Sequence, residues 1–329
     1  MSDVRRTARC ALLLTLAALP ATAADPSTGS GQAYPARPIR LIIGTAPAGA
    51  QSENARALVR LLEAQLGQPI IVDNRSGANG IIAYETVAKS APDGYTLLHT
   101  SIAFAINPSV YRKLPFDVVK DFTPITNLVT GMGAVLVVHP AVPARSVKEL
   151  IAMGSGARLS YSSPGVGNPL HLVAESFNVR TGMGMTHVPF KGAGPALQAV
   201  VAGEIPVMFS SSPPAVPQVR AGRVRALGYS GASRLDALPE VPTISEAGLD
   251  FKLDTGWHAW FGPARMPASI ATKLHAEIRK ALENPKLREF YLNNGYQPVA
   301  ETPAEFEKSF RADVKRWGDI ARLAKIEPQ

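Results

Sequence analysis

Short apolar runs alternate with amphipathic stretches along the first third of the chain. The apolar runs predict strands over 39–43, 70–72 and 95–98, and apolar residues at helical spacing predict helices over 55–66 and 81–89. This β-α-β-α-β rhythm indicates a parallel sheet with right-handed crossovers.

The middle of the chain repeats the alternation. Ser146 and Glu149 form a capping box before a short helix. Residues 233–248 are expected to be an exposed loop that contains a short helix. Strand patterns cover 135–138, 159–162, 205–209 and 224–228, with a helical pattern over 171–179.

The C-terminal part is predicted to be helical, with one helix over 267–282. Thr302, Pro303 and Glu305 combine a capping box with proline at the first helical position. The following residues place one apolar side chain on each turn, which is typical of a face packed in the core. These residues are Phe306, Phe310, Val314 and Trp317.

The N-terminus has the pattern of a secretory signal peptide. A basic stretch over 5–9 precedes an apolar run over 10–19 and small residues before Ala24. That run is too short to cross a hydrocarbon core of ~30 Å. We therefore expect residues 1–24 to direct export to the periplasm, and residues 25–33 to be a flexible leader.

Composition narrows the classes of protein that fit. The chain has 329 residues, more than one compact core usually holds, and 46% of them are hydrophobic, which excludes a largely disordered protein. The single cysteine, Cys10, lies in the predicted signal peptide. We therefore expect no disulfide, no thiol nucleophile and no thiolate metal site in the mature protein.

The net charge of +8 is spread along the chain. The arginines at 220, 223 and 225 have no interleaved aromatic residues, so a solvated face is preferred over a nucleic-acid site. No apolar run after the signal approaches the roughly 18 residues of a membrane span. We expect no nucleic-acid partner, no stable membrane insertion, no cofactor and no metal.

Three loops that follow predicted strands could carry binding chemistry, because ligands of open α/β sheets lie at the carboxyl ends of strands. The first loop, residues 46–52, is built from small residues. It could bring backbone N–H groups and the positive end of a helix to an anion, or it could simply be a tight turn. Its candidate ligand-binding residues are Ala48, Gly49, Ala50, Gln51 and Ser52.

The second loop, residues 74–80, is glycine-rich, which permits positive φ and a close approach of ligand to backbone. Arg75 could pair with a ligand carboxylate or with Asp73, and we favour the pair with Asp73. The candidate ligand-binding residues are Gly77, Ala78 and Asn79, with Ser101 as a further candidate.

The third loop, residues 162–169, is the most persuasive anion site in the sequence. Asn168 is a good N-cap and Pro169 an ideal first helical residue, so free N–H groups are expected at Leu170 and His171. The His171 side chain could face the ligand or be packed internally. The candidates here are Ser162, Ser163, Gly167, Asn168, Leu170 and His171, with Ser210 and Ser211 on the opposite wall.

Several catalytic and cofactor motifs are missing. Residues 228–231 are one residue short of a GxSxG elbow, and the sequence has no HExxH motif and no Walker A loop. Residues 165–170 match a dinucleotide fingerprint only in part. These absences favour a binding protein, although Ser–His catalysis could still assemble in space.

Ordered segments from residue 34 to the C-terminus match a known family. They are residues 34–42, 66–70, 73–75, 91–97, 106–111, 114–117, 163–167, 171–172, 187–192, 238–243 and 246–248. With these segments the chain resembles the periplasmic solute receptors of tripartite tricarboxylate transporters, also called Bug-type receptors.

The resemblance implies an α/β, two-lobe periplasmic-binding-protein-like (type II) architecture with two interlobe crossovers. Lobe one would take residues 34–130 and 254–329, and lobe two residues 131–253. Such receptors hold small carboxylates between the lobes through loop backbone, hydroxyls and ordered water. The resemblance also implies a membrane permease as partner, and we expect the receptor itself to be a monomer.

Two positions depart from the family pattern. Ser52 stands where the family commonly has Asp, and Ser210 begins a loop that often begins with Asp. A buried ammonium group needs a carboxylate partner. We therefore expect a ligand without an amino group, namely a di- or tricarboxylate or an aromatic acid.

Three functions are compatible with the sequence. The first is a receptor that closes two lobes over a small carboxylate and presents it to a tripartite tricarboxylate transporter permease. The others are a sensory subunit for a signalling partner and a secreted Ser-dependent hydrolase. For the receptor, Ser163→Ala is expected to weaken binding and to leave the melting temperature of the ligand-free protein nearly unchanged.

Overall fold

The structure, a computed structural model, describes residues 34–329 except positions 46, 48–49, 132, 155, 157, 255, 324–325 and 329. The predicted signal peptide and leader lie outside the described residues, as do Ala48 and Gly49 of the first loop. Among the helices that are described, none is both long enough and apolar enough to cross a membrane.

Strands and helices alternate through most of the described chain. The strands are β1 (Ile39–Ile43), β2 (Ile70–Asn74), β3 (Thr96–Ser101), β4 (Phe122–Gly131), β5 (Ala134–Val138), β6 (Ser160–Ser163), β7 (Thr186–Pro189), β8 (Val207–Ser211), β9 (Arg225–Tyr229), β10 (Trp257–Pro263) and β11 (Tyr296–Pro298). The helices are α1 (Ala50–Leu66), α2 (Ile81–Ala88), α3 (Ala103–Val110), α4 (Val147–Met153), α5 (Pro169–Thr181), α6 (Ala193–Val201), α7 (Ser212–Arg220), α8 (Ala268–Leu282), α9 (Pro285–Asn293) and α10 (Pro303–Leu323).

The first lobe contains a six-stranded sheet in the order β11-β4-β10-β3-β1-β2. Its β1, β2 and β3 strands run parallel, as the alternating pattern predicted. Strand β10 continues the sheet antiparallel to β3 and β4, and β11 is antiparallel to β4. The sheet is therefore mixed, and its two antiparallel strands, β10 and β11, are supplied by residues that follow the second lobe in sequence.

The second lobe contains a five-stranded sheet in the order β7-β6-β8-β5-β9. Strand β6 is parallel to β7 and β8, whereas β5 is antiparallel to β8 and β9. The chain passes from the first sheet to the second between β4 and β5, and it returns between β9 and β10. These two crossovers confirm the predicted two-lobe architecture, and the sequence-based residue boundaries of the lobes stay predictions.

Helices pack on the sheets through apolar faces that the sequence patterns predicted. The α10 stripe buries Phe306, Phe310 and Trp317, which are 0–2% exposed. The capping box that starts α10 is formed, with the Glu305 N–H donating to Thr302 Oγ1 at 3.3 Å. The same core cluster continues from the first sheet into the second lobe, so apolar packing joins the lobes on that side.

The segment 233–248 differs from its prediction. It contains turns and no helix within the described residues. Its apolar residues are buried rather than exposed, among them Leu235, Leu238 and Ile244. The Ile244 N–H donates to the Tyr229 carbonyl at 2.8 Å. The segment is therefore held against β9 by packing and a short backbone pairing, which a local helix signal does not reveal.

Candidate functional site

A cavity of about 290 Å³ lies at the carboxyl ends of parallel strands from both sheets. Its wall includes the connections after β1 and β3 in the first lobe and after β6 and β8 in the second. This is the place where open α/β sheets bind ligands. The lining residues are Gly44, Thr45, Gln51, Asn79, Tyr84, Ser101, Ile102, Ala103, Asn168, Pro169, Leu170, Ser211, Trp257, His258 and Tyr296.

Four helices begin at this cavity. Helices α1 and α3 start there from the first lobe, and α5 and α7 start there from the second. The helix dipole is positive at each of these ends. The first turns of α1 and α3 have backbone N–H groups without intrahelical partners. Fewer are available in α5, which begins with Pro169, and in α7, which contains Pro213 and Pro214, because proline has no N–H. The arrangement therefore favours negatively charged oxygen atoms in the cavity.

The side chains around the cavity are neutral. No Asp, Glu, Lys or Arg is found among the described residues that line it. Its polar groups are amides, hydroxyls and one imidazole, and its apolar surface comes from residues such as Ile102, Leu170 and Trp257. A bound anion would therefore be stabilised by dipoles and hydrogen bonds, and a bound ammonium group would have no carboxylate partner there.

The first predicted loop places one of its described side chains at the cavity. Gln51 lines it, and the Gln51 Nε2 donates to the His99 carbonyl at 2.9 Å. Ser52 is fully buried behind the wall, where its Oγ accepts from Asn74 Nδ2 at 3.1 Å. Ala50 is the first residue of α1.

The second predicted loop contributes Asn79 alone. Asn79 lines the cavity, and its Nδ2 donates to Asn107 Oδ1 at 2.8 Å. Gly77 and Ala78 precede it with positive φ and are not part of the lining. Arg75 pairs with Asp73 at 3.1 Å, as favoured from the sequence. Ser101, at the end of β3, does line the cavity.

In the third predicted loop, the helix start reaches the cavity. Asn168 and Leu170 both line it. The Leu170 N–H was expected to be free, but it donates to the Asn168 Oδ1 at 3.0 Å because Asn168 caps α5 with its own side chain. The Gly167 N–H donates to His171 Nδ1 at 3.2 Å, so neither group is directed at a ligand.

The predicted serines of β6 and β8 divide between wall and interior. Ser162 Oγ donates to the Ala196 carbonyl at 2.9 Å, and Ser163 Oγ lies 2.6 Å from His187 Nε2. Both serines are at most 1% exposed. Ser210 is fully buried, whereas Ser211 lines the cavity. Parts of all three loops therefore line the cavity, while Ser162, Ser163 and Ser210 lie behind its lining.

A buried histidine pair supports the third loop from behind. The His171 and His187 rings stack with centroids 3.9 Å apart. Burial, followed by the neighbouring His187, lowers the pKa of His171 to about 3, and burial lowers the pKa of His187 to about 4. Both rings are therefore neutral at pH 7, and His187 can share a hydrogen bond with Ser163 Oγ without a buried charge.

Four aromatic or imidazole residues of the cavity were not predicted from the sequence. Tyr84 comes from α2, Trp257 and His258 from the start of β10, and Tyr296 from the start of β11. The latter three reach the cavity because β10 and β11 pair with strands far away in sequence. No local motif marks them, so only the tertiary structure identifies them.

The fold and the cavity together define a class of protein: a two-lobe solute-binding protein that holds a small ligand where its two sheets meet. Comparison with known sequences then identifies the family. The family model described as "Tripartite tricarboxylate transporter family receptor" matches residues 54–325, and the chain belongs to that family. That family is one of solute receptors and not of enzymes, so the receptor hypothesis is preferred to the hydrolase hypothesis.

Relatives and solved structures match almost the whole chain. Protein BugT of Bordetella pertussis is 32% identical over 315 residues, which cover 94% of this chain and 96% of that protein. The structure of R. palustris Rpa4515 with adipate has a TM-score of 0.79 at 29% identity, covering 90% of this chain and 100% of the other. MatC (Rpa3494) from Rhodopseudomonas palustris with bound malate has a TM-score of 0.75 at 30% identity, covering 88% and 100%.

Proposed function

We propose that this receptor works in the periplasm, binds a small di- or tricarboxylate or an aromatic acid between its lobes, and presents it to a tripartite tricarboxylate permease. One observation carries the proposal: four helix N-termini begin at a single cavity whose described lining residues include no charged side chain. Such a site stabilises oxyanions through N–H groups and helix dipoles.

The neutrality of the lining supports a ligand without an amino group. A buried ammonium would lose its hydration and find no carboxylate among the described lining residues. Carboxylate oxygens, in contrast, accept charge-assisted hydrogen bonds of about 1.5–3 kcal/mol each from N–H and O–H donors. The receptor is therefore expected to select acids over amino acids.

The size of the cavity and the ligands of similar proteins support a small acid. Its volume of about 290 Å³ lies just below the roughly 300–1,000 Å³ typical of ligand sites. Adipate and malate, named in two of the similar structures, are small acyclic dicarboxylates without an amino group. The apolar residues Ile102, Leu170 and Trp257 would pack against the carbon chain of such a ligand.

Contributions from both lobes support a closure mechanism. Ser101 and Tyr296 line the cavity from the first lobe, and Asn168 and Ser211 line it from the second. A ligand that contacts both walls shifts the population towards the closed form. The closed form would then be the state that the permease recognises, and the predicted signal peptide over residues 1–24 would place the receptor where it can meet that permease.

A thermal-shift panel tests the ligand class. The mature protein is heated with adipate, malate, citrate or benzoate, and separately with glutamate or aspartate. A ligand at 100 times its Kd stabilises by about 2.7 kcal/mol, so at least one plain acid should raise the melting temperature by several degrees. Stabilisation by glutamate or aspartate together with no effect of any plain acid would contradict the proposal.

A further inference from the structure

One corner of the cavity is formed by His258 at the start of β10 and Tyr296 at the start of β11. Their rings lie 4.9 Å apart, measured between centroids. Asn54, on the second turn of α1, lies behind them and is 2% exposed. The three residues come from three elements of the first lobe.

The His258 ring presents a hydrogen-bond donor to the cavity. Its Nδ1 lies 3.0 Å from Asn54 Nδ2, and because an amide nitrogen can only donate, Nδ1 accepts this bond. Burial lowers the pKa of His258 to about 4, so the ring is neutral at pH 7 and carries its proton on Nε2. The Nε2–H bonds to none of the described residues and is not sealed from the cavity that His258 lines.

The Tyr296 hydroxyl is a second donor in the same corner. Burial raises the pKa of Tyr296 to about 12, and the Asn54 side chain partly offsets that rise. An N–H group near the phenol oxygen lowers the pKa of a tyrosine in this way, because it stabilises the phenolate. Tyr296 is therefore protonated at pH 7, and its hydroxyl can donate to an acceptor in the cavity that Tyr296 lines.

Asn54 is itself held in place by its neighbours. Its backbone carbonyl accepts a hydrogen bond from the Tyr291 hydroxyl at 3.0 Å. The amide can therefore set the tautomer of His258 and face Tyr296 from a fixed position, as a positioning residue behind the wall. The result is two neutral donors, one N–H and one O–H, on the first-lobe side of the cavity, where Gly295 beside Tyr296 lies next to Pro213 at the start of α7.

We propose that His258 and Tyr296, positioned by Asn54, bind the second carboxylate of the ligand and make this receptor selective for dicarboxylates over monocarboxylates of the same chain length. The inference rests on the proposed function and names its ligand class. A diacid places acceptor oxygens on both donors, whereas the methyl end of a monoacid leaves them buried without partners, which disfavours binding. The diacid would also connect the first-lobe corner to the second lobe.

The test measures the Kd of adipate and of hexanoate by calorimetry for the mature protein and its Tyr296→Phe and His258→Phe variants. Wild type should bind adipate more tightly than hexanoate. Each variant should lose about tenfold or more in adipate affinity, the value of one hydrogen bond to a charged group, and should keep its hexanoate affinity. The ratio of the hexanoate Kd to the adipate Kd is therefore expected to be smaller in the variants than in wild type.

Tyr291→Phe is the matched control. It removes a buried tyrosine hydroxyl that bonds to the same Asn54, but Tyr291 does not line the cavity. The control should keep the wild-type ratio even where it lowers the melting temperature. In wild type, nitrogen NMR of the imidazoles should show His258 protonated on Nε2, with a signal that shifts on adding adipate and not on adding hexanoate.

The outcomes separate this inference from the function on which it rests. If wild type binds acids but both variants keep the wild-type ratio, the corner does not read the second carboxylate and the inference is wrong. If adipate and hexanoate lose affinity equally, the corner holds the carboxylate that both share, which also overturns it. If wild type binds no carboxylate at all, the proposed function fails together with the inference.

Discussion

Adjacent hydroxyl side chains in this receptor have different roles because strand residues alternate between opposite faces. Ser210 is fully buried at the end of β8, and the next residue, Ser211, lines the cavity. Ser163 also lies inside the protein, bonded to His187 Nε2 and to the Gly165 N–H. A cluster of serines in the sequence does not reveal which of its members faces the ligand.

The location of Ser163 reverses the expectation drawn from the sequence. Ser163→Ala would leave the Gly165 N–H and His187 Nε2 without their partner, and an unpaired buried polar group costs about 1–3 kcal/mol. We expect the variant to lower the free energy of unfolding by that amount, measured by urea denaturation without ligand, and to change ligand affinity little.

Ser211→Ala is the reciprocal control. The Ser211 side chain lines the cavity and does not cap α7, so its removal should weaken acid binding and leave the unfolding free energy nearly unchanged. If Ser163→Ala had a normal unfolding free energy but no longer bound acid, Ser163 would belong to the binding site. That result would contradict its placement in the interior.

At the level of elements, two helices begin with the same Asn-Pro pair in different surroundings. Asn168 caps α5 at the cavity, with its Oδ1 accepting the Leu170 N–H at 3.0 Å. Asn284 caps α9 away from the cavity lining, with its Oδ1 accepting the Lys286 N–H at 3.0 Å. The two caps are chemically equivalent, so they separate the structural role of a helix start from its role in binding.

Replacing each cap by alanine tests whether the α5 start contributes to the site. Asn168→Ala and Asn284→Ala should each lower the unfolding free energy by about 1 kcal/mol, the usual value of an N-cap. Only Asn168→Ala should weaken acid binding, measured by calorimetry, because it disturbs the helix end at the cavity. Equal affinities of the two variants for the acid would show that the α5 start does not contribute to binding.

Elements with local signals were predictable from the sequence. The strand over 39–43 and the capping box of α10 were both predicted and are present. Strand β10 was not predicted: all of its residues are buried because it lies between β3 and β4 in the sheet interior, so it has no polar alternation to detect. The three loops of the site could be located, while His258 and Tyr296 depend on pairings that no local pattern encodes.

For the whole molecule, the two crossovers bring the lobes together closely. Gly133, with φ +84°, follows β4, and a Cβ placed there would lie 2.5 Å from the Gly231 nitrogen on the returning crossover. Gly256, with φ +96°, precedes β10 and contacts Ile102 at the edge of the cavity. Side chains are thus excluded where the chain crosses between lobes, which keeps β10 and its cavity residues next to both lobes.

A small acid is expected to bind between the lobes to backbone and neutral donors. A second cavity, of about 650 Å³, offers different chemistry, because it is lined by charged residues of both signs, namely Arg234, Lys252, Arg316, Asp236 and Asp254. An acid in the smaller cavity would be bound by dipoles and hydrogen bonds, whereas an acid in the larger cavity would be bound by opposite charge.

The most direct measurement is a crystal structure of the mature protein with the acid that raises its melting temperature most. We predict carboxylate oxygens within hydrogen-bond distance of the first-turn N–H groups of α1, α3, α5 or α7 in the 290 Å³ cavity, with no Arg or Lys side chain in contact. An acid bound to Arg316 or Lys252 in the larger cavity, with the smaller one empty, would contradict the claim.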